Sequence, residues 1–401
     1  MIEPVTDLKE EAAQHLERIR PGALALSHRI HEHPELGFAE HDASRWVSQA
    51  LSGAGFSVQP GVGDLPTALA ATAGTGELTV GLFAEYDALP EVGHACGHNI
   101  IAAAAVAAGQ LLAPLTDQLG ITVKVFGTPA EEGGGGKILM LDRGVFDGVH
   151  AAMMVHPSPT ERVKARTLAV AHLGVSYTGK TAHAAAAPEK GINAADAFTV
   201  AQVAIGLLRQ HISPASRIHG IITRGGEAPN VVPGQTEGRF YVRTETLEEL
   251  ADLRRRVEQC FQAGALATGC ELDITLESPP YSEFDSDPAF EAFYQANAEK
   301  LGRNFGQAER GGTASTDMAN VSLVIPTIHP SIGMDCGTAV NHQPEFAAWC
   351  AEPTGDRAVL DGALAMAWTV IDIAASQEQR RRLLGRKPAD AQRGVPHVAA
   401  D

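Results

Sequence analysis

The strongest constraint on the fold is an alternation of apolar strands and helices in the first part of the chain. The segments LTVGLFAEYD (78–87) and ITVKVFGTPAEE (121–132) have the composition of buried strands, and the alanine-rich segment between them (100–115) has the length of a buried helix. A further helix, KILMLDRG, and a strand, VHAAMMVHP, follow. Strands that alternate with helices indicate βαβ units and a largely parallel sheet.

The pattern changes near residue 168. A strand in AVAHLGVSYTGK, a helix over 192–211, two strands, a helix over 247–267 and the strand ELDITLES follow one another. This β-α-β-β-α-β order is typical of a ferredoxin-like sandwich. We therefore predict an α/β protein with a mostly parallel-sheet main domain over residues 1–167 and 281–401, and an inserted ferredoxin-like α+β domain over residues 168–280.

Charge and cysteine usage restrict the class of protein. The 401 residues carry a formal net charge of −17, which argues against nucleic acid as a partner because phosphate binding needs clustered Lys and Arg. No uninterrupted run of 18 apolar residues occurs, so we expect no membrane partner. The N-terminus is acidic and lacks the features of a secretory signal. Five scattered cysteines favour a reducing, cytoplasmic location.

Side chains able to bind metal follow each predicted strand of the main domain, where open parallel sheets bind ligands. They are Asp87, Cys96 and His98 after the first strand, Glu131 and Glu132 after the second, His156 after the third and His342 near the end. Taken singly, Cys96 could be a small buried residue, His156 a hydrogen-bonded structural histidine and the two glutamates a solvated pair. Their joint occurrence favours a site for zinc or a similar divalent metal.

The four glycines after Glu132 are not a phosphate-binding loop, because the required Lys and Ser/Thr spacing is missing. They allow a close backbone approach and predict a permissive turn that directs the two glutamates.

Six motifs together resemble a known group of enzymes. AEYDALPEVGHACGHN, GTPAEEGGGGK, MVHP, GKTAHAAAAPEKGINAADA, APNVVP and NHQPEF occur in order between about residues 28 and 346. They resemble the metal-dependent amidohydrolases of the aminoacylase and carboxypeptidase superfamily. The branch is the one with a cysteine ligand, which includes auxin-conjugate hydrolases, aminobenzoyl-glutamate hydrolases and peptidases of basic dipeptides.

The resemblance implies a role for each matching residue. Two divalent metal ions, zinc or manganese with cobalt as a further option, would be bound by Cys96, His98, Glu132, His156 and His342. Glu131 would be the general base and Asp87 would orient the site. Glu85 stands where the broader superfamily has a histidine, and Asn99 replaces an aspartate common in the auxin-conjugate branch. The latter change favours the dipeptide and aminobenzoyl-glutamate side.

In the inserted domain, the resemblance implies that His183 stabilises the oxyanion and that Asn230 contacts substrate. From the residues alone, a local hydrogen bond for His183 and a turn cap for Asn230 are equally expected. Arg243 and Arg310 are candidates for binding a substrate carboxylate, with a surface ion pair as the alternative. The family also implies a homodimer through this domain, with His183 contributed by the partner subunit. Asp317 is a candidate supporting residue, and five histidines are left as structural or supporting: His31, His33, His94, His172 and His329.

We therefore predict a metal-dependent hydrolase that cleaves the amide bond of small N-acyl amino acids, aminobenzoyl-glutamate-like conjugates or dipeptides. One alternative is a cysteine hydrolase with Cys96 as nucleophile and His98 as base, which chelators would not inhibit. Another is a non-catalytic metal-binding or ligand-binding protein on the same scaffold. Retention of a Glu131–Glu132 pair argues against the second alternative.

Overall fold

The computed structural model describes residues 5–306 and 314–386. Within them the chain divides into two compact units. Unit 1 contains residues up to 166, residues 284–306 and residues 316–386, and unit 2 contains residues 167–283 with 314–315. The sequence-based prediction placed the insertion at residues 168–280.

Helices and strands alternate through most of the chain. The strands are β1 (Ser57–Pro60), β2 (Leu69–Ala73), β3 (Leu78–Glu85), β4 (Ile121–Thr128), β5 (Ala151–Met153), β6 (His156–Ser158), β7 (Ala169–Thr178), β8 (Arg217–Arg224), β9 (Gln235–Thr244), β10 (Glu271–Leu276), β11 (Thr327–Ile328) and β12 (Ser331–Gly333). The helices are α1 (Val5–Glu32), α2 (His41–Gly53), α3 (His98–Leu112), α4 (Thr116–Leu119), α5 (Gly136–Asp142), α6 (Ala194–Leu208), α7 (Leu247–Thr268), α8 (Pro288–Lys300), α9 (Met318–Ser322), α10 (Pro344–Trp349), α11 (Pro353–Ala375) and α12 (Gln377–Leu384).

Unit 1 is built on a six-stranded sheet with the order β1-β2-β4-β3-β5-β11. The four strands β4, β3, β5 and β11 are parallel, and β2 and β1 join them as an antiparallel edge. This arrangement confirms the predicted α/β class with a mostly parallel sheet. The carboxyl ends of the four parallel strands therefore meet at one edge of the sheet.

The sequence explains the central position of β3 and the helix packed on it. All but one of the residues of β3 are buried, as expected for a strand covered on both faces. Helix α3 has a buried side chain at nearly every position, and its small alanines allow α1 and α11 to approach closely. The sheet lies between this helical layer and a second apolar cluster that includes Phe83, Phe126 and Phe146.

Unit 2 is a four-stranded antiparallel sheet with the order β10-β7-β9-β8, covered on one face by α6 and α7. The element order β7-α6-β8-β9-α7-β10 confirms the predicted ferredoxin-like arrangement. Both helices have side-chain N-caps, because Asn193 accepts from the backbone N–H of Ala195 and Thr246 accepts from that of Glu249.

Several local elements were not predicted. They are the two short strands β1 and β2 and the short helix α9. In α12, Arg382 pairs with Asp287 at 2.6 Å, and Arg380 donates to the carbonyl oxygens of Leu119 and Gly120.

Two helical segments of the described chain are long and apolar enough to cross a membrane by length and composition, His98–Leu119 and Pro353–Ala375. Counting uninterrupted apolar runs in the sequence did not detect them. Their apolar windows are 83% and 78% buried inside the protein, so packing in the core of unit 1 accounts for their composition.

Candidate metal centre

The predicted metal-binding residues of unit 1 converge at the carboxyl ends of the parallel strands. Strand β3 leads to Asp87, β4 leads to Glu131 and Glu132, and β5 leads to His156. Because these strands are adjacent and parallel, residues far apart in sequence are brought to one edge of the sheet.

Cys96 and His98 are placed by a glycine turn at the start of α3. Gly97 has φ +78°, in the left-handed region. A Cβ atom at this position would lie 2.3 Å from the side chain of Pro157. Both the backbone conformation and the close contact therefore require glycine. The turn places the thiol of Cys96 and the ring of His98 on the same side of the site.

Glu131 and Glu132 are presented by a tight turn that begins at Ala130. Ala130 has φ +55°, and its carbonyl oxygen accepts hydrogen bonds from the N–H groups of Gly134 and Gly135 at 3.0 and 2.9 Å. A Cβ at Gly136 would lie 1.9 Å from the carbonyl oxygen of Pro129. The glycine run thus forms the close backbone turn that was predicted from the sequence.

Two groups of potential ligand atoms share Cys96. In each group, Cys96–His98–His156 and Cys96–Glu132–His342, all ligand atoms lie within 4.8 Å of one another. The Cys96 sulfur is 3.5 Å from Nε2 of His156 and 3.6 Å from Nε2 of His342. Nε2 of His342 is 3.7 Å from a carboxylate oxygen of Glu132. Metal–ligand bonds of about 2.1 Å at a tetrahedral angle place ligand atoms roughly 3.4 Å apart, which is close to these distances.

The imidazole rings of His98 and His156 are oriented so that Nε2 of each ring can bind a metal ion. Nδ1 of His98 lies 2.8 Å from the carbonyl oxygen of Asp87 and 3.0 Å from its carboxylate, and Nδ1 of His156 lies 2.8 Å from the carbonyl oxygen of Pro157. Donation from Nδ1 leaves Nε2 with a lone pair for a metal ion. Nε2 of His98 and Oε1 of Glu132 are buried and have no hydrogen-bond partner in the described part of the chain. Such orphaned atoms fit metal ligands.

Glu131 lies beside these groups. It is only 6% exposed, and its Oε2 is 3.8 Å from Nε2 of His98. Burial, together with the nearby carboxylates of Glu85 and Glu132, raises the pKa of Glu131 well above its usual value. It belongs to neither group that contains Cys96, but forms a third group with Glu85 and His98.

The thiol of Cys96 is also perturbed. Burial and the negative charge of Glu132 raise the pKa of Cys96 well above its usual value. Burial alone would lower the pKa of His98, but the carboxylate of Asp87 raises it well above the ordinary range. A thiol whose ionisation is disfavoured is a poor nucleophile unless a cation compensates its charge.

A buried ion cluster that the sequence did not reveal supports the acidic side of the site. The ammonium group of Lys137 is 2.5 Å from Oε1 of Glu85 and 2.5 Å from Oδ1 of Asp317, and all three side chains are fully buried. The backbone N–H of Lys137 also donates to Asp317 at 2.9 Å. Burial alone would lower the pKa of Lys137, but the two carboxylates raise it above its usual value. Lys137 therefore holds Glu85 in a buried ion pair.

Unit 2 contains three of the four predicted substrate-binding residues. His183 is exposed, and its Nδ1 accepts from the N–H of Ala186 at 3.1 Å. Asn230 is on the neighbouring segment, where its carbonyl oxygen accepts from Ala184 at 3.0 Å. Arg243 is half-buried and donates to the hydroxyl of Ser315 at 2.6 Å. Arg310 lies outside the described residues.

Sequence reasoning left His329 as a structural or supporting residue; it follows the fourth parallel strand, β11. Its ring lies 5.5 Å from that of His156, and burial lowers its pKa to about 4. The strand-end argument used for the other residues would have identified it. Asn99 donates to the Ser27 hydroxyl at 2.9 Å, so its amide nitrogen is used in packing α3 against α1.

The comparison with known families decides the class of this protein. The model of peptidase family M20/M25/M40 matches residues 81–359, which include every predicted metal ligand. The chain belongs to this family. The resemblance found in the sequence motifs is thereby confirmed, and this member of the M20 group is a hydrolase of the peptidase and amidohydrolase class.

Curated relatives and solved structures agree. The chain is 38% identical over 386 residues to the mouse Xaa-Arg dipeptidase, covering 91% of this chain and 89% of the mouse protein. It is 34% identical over 292 residues to one of the polypeptides of the Escherichia coli p-aminobenzoyl-glutamate hydrolase, covering 68% of this chain and 61% of that polypeptide. A Bacillus subtilis structure, described as a dinuclear metal binding peptidase from the M20 family, has a TM-score of 0.66 at 23% identity and covers 89% of this chain and 99% of that one.

Proposed function

We propose that this M20 family member is a metal-dependent dipeptidase, with dipeptides that carry a basic C-terminal residue as its first candidate substrates. The observation that supports the metal dependence is the pair of ligand groups that share Cys96, with Glu131 3.8 Å from Nε2 of His98. The identity of 38% to the mouse Xaa-Arg dipeptidase, over nearly the whole of both chains, supports the substrate class. The net charge of −17 also favours attraction of cationic substrates.

The acidic composition of the site supports two divalent cations. Five carboxyl groups and one thiol converge there, namely Glu85, Asp87, Glu131, Glu132, Asp317 and Cys96. Lys137 supplies one positive charge against them. Divalent cations held by Cys96, His98, Glu132, His156 and His342 would offset the remaining charge. Zinc, manganese and cobalt all suit this mixture of thiolate, imidazole and carboxylate.

In the proposed reaction, each protein side chain has a distinct task. When bound, the metal ions supply a polarised substrate carbonyl and a water molecule of lowered pKa. Glu131 accepts the proton of the attacking water and later delivers it to the leaving amine. Asp87 fixes the ring of His98 through Nδ1, so that Nε2 remains a ligand. His183 is proposed to donate to the oxyanion that develops on the substrate carbonyl, and Asn230 to contact the substrate.

We further propose a cytoplasmic homodimer that associates through unit 2. All five cysteines are free, which is consistent with a reducing location. On unit 2, Val203 and Leu207 of α6 and Ile221 of β8 expose 61%, 70% and 63% of their surface, and β8 is an edge strand of the sheet. A second copy covering α6 and the β8 edge would remove these apolar side chains from water. Light scattering of the wild type and of Leu207→Glu tests the proposal, and an unchanged mass would contradict it.

A substrate panel tests the proposed activity. Turnover of Ala-Arg and Ala-Lys is compared with that of Ala-citrulline, which has nearly the shape of Ala-Arg without its charge. Faster turnover of Ala-Arg and Ala-Lys than of Ala-citrulline would support recognition of a basic residue. Aminobenzoyl-glutamate and N-acetyl amino acids belong to the same panel, because the similarity to the Escherichia coli hydrolase favours the former. Preference for these acidic or neutral substrates would overturn the dipeptidase proposal. The assignment of the protein as an amidohydrolase would still hold.

The cysteine hydrolase alternative makes the opposite prediction about inhibitors. It requires a reactive Cys96 thiol, whereas burial and Glu132 raise the pKa of that thiol. Turnover that persists in chelator but stops on thiol alkylation would support the alternative. A non-catalytic protein would bind metal and turn over none of the substrates in the panel.

A further inference from the structure

A buried glutamate outside the metal site holds the turn that carries Glu131. Glu40 ends an exposed loop between α1 and α2, yet its own side chain is fully buried. Its Oε1 accepts from the backbone N–H of Ala130 at 2.8 Å, and its Oε2 accepts from the hydroxyl of Thr67 at 2.9 Å. A residue 90 positions earlier in the chain therefore contacts the residue directly before Glu131.

Within the described part of the chain, the side chain of Glu40 neither caps a helix nor pairs with a cation. Although Glu40 is the N-cap residue of α2, its side chain makes no capping bond. Glu35 does this instead, because its carboxylate accepts from the N–H groups of Asp42 and Ala43. Across residues 5–306 and 314–386, no cation pairs with Glu40. Burial and the nearby Asp87 raise its pKa to about 7, so keeping a carboxyl group here is costly.

The contact falls where the turn most needs support. Ala130 has φ +55°, a conformation that is unfavourable for a residue with a Cβ atom. The two residues on either side of Glu131 are held in the same way. Ala130 donates its N–H to Glu40, and Glu132 donates its N–H to Asp87 at 3.0 Å. Glu131 thus lies between two backbone groups that are each bound by a buried carboxylate.

We propose that Glu40 is a positioning residue that fixes the direction of Glu131 by accepting the N–H of Ala130. This inference rests on the proposed function only in taking Glu131 as the base. The hydrogen bond prevents Ala130 from returning to a right-handed conformation, which would redirect the glutamate that follows. Small misplacements of a reacting group can lower turnover by as much as about a hundredfold.

Two substitutions of similar size isolate the hydrogen bond. Glu40→Gln keeps an oxygen acceptor for Ala130, and Glu40→Met fills the same space without an acceptor. Both remove the charge. We expect Glu40→Met to lower kcat by about tenfold to a hundredfold with KM changed less than threefold, and Glu40→Gln to stay within about threefold of the wild type. Thr67→Val, which removes the other bond to Glu40, is the control and should change kcat by less than about threefold.

A double variant tests whether the backbone conformation of Ala130 accounts for the lower kcat of Glu40→Met. Glycine adopts φ +55° without the steric cost of alanine. Glu40→Met combined with Ala130→Gly should therefore recover most of the lost kcat, which a general loss of stability would not predict. If Glu40→Met fails to fold, Glu40→Asp makes the comparison, because it withdraws the carboxylate by one methylene and keeps the charge.

Amide hydrogen exchange gives a readout that does not depend on activity. Exchange of the 129–136 segment should be faster in Glu40→Met than in Glu40→Gln, with metal content equal in both. Equal exchange and equal kcat in these two variants would overturn the inference, as would a failure of Ala130→Gly to restore turnover. If the wild type hydrolyses nothing in the panel, the proposed function fails, and the exchange comparison still decides whether Glu40 holds the turn.

Discussion

Replacing Lys137 with methionine should destabilise unit 1 strongly, because it removes the cation between two buried carboxylates. The Lys137 ammonium is 2.5 Å from both Glu85 and Asp317, and none of the three side chains is exposed. Breaking a buried ion pair by removing one partner costs about 3–5 kcal/mol. Since two carboxylates lose their partner here, we expect a loss in the upper part of this range. Native proteins have about 5–15 kcal/mol in total, so the loss would be easily measured.

The assay is urea unfolding of the metal-loaded protein, with Arg20→Met as the matched control. Arg20 pairs with Glu17 at 3.0 Å on the surface, where about half of each side chain or more is exposed. Loss of such a pair costs about 0–1 kcal/mol. Adding Asp317→Asn to Lys137→Met should recover about 1–3 kcal/mol, because it removes one of the two unpaired carboxylates. A cost for Lys137→Met no larger than that for Arg20→Met, or strict additivity in the double variant, would refute the reasoning.

Three further predictions concern single residues. Glu131→Gln should lower kcat by about 10²–10⁴-fold while metal content stays at the wild-type level. Kinetics and elemental analysis check the two quantities together. Loss of metal instead would show that Glu131 is a ligand. Cys96→Ser should lower metal content, because the sulfur belongs to both ligand groups, and full occupancy would contradict this. The pKa of Glu40 is raised from 4.5 to about 7, so the folded state keeps a proton that the unfolded state loses between these values, and stability falls as pH rises through that window. Relative to the wild type, Glu40→Gln should therefore gain about 3 kcal/mol between pH 4.5 and 7 in urea titrations, and a pH-independent difference would refute the assignment.

The parts of the fold that could be predicted are those with long, uninterrupted signals. Strands β3 and β4 are mostly apolar over eight residues, and α3 is buried at nearly every position, so the length and composition of these segments were sufficient to predict them. The edge strand β1 has four mostly exposed residues, too few for a period to be recognised. Helix α1 continues through Pro21, although a proline inside a helix usually interrupts it.

The metal ligands could be predicted because thiol, imidazole and carboxylate groups are rare together at strand ends. Lys137 and Glu40 could not, because a lysine after four glycines and a glutamate in a polar loop both have the sequence appearance of exposed residues. Their burial depends on segments distant in sequence, Asp317 for Lys137 and Ala130 for Glu40. His329 could have been found by the same strand-end argument, since it directly follows β11.

The most direct test of the central claim is turnover of Ala-Arg during metal depletion and metal restoration. The account predicts that chelation abolishes turnover and that added zinc, manganese or cobalt restores it in proportion to bound metal, up to two ions per chain. The same titration of Cys96→Ser should bind less metal and recover less activity. Turnover that survives chelation and is instead lost on alkylation of Cys96 would contradict the account.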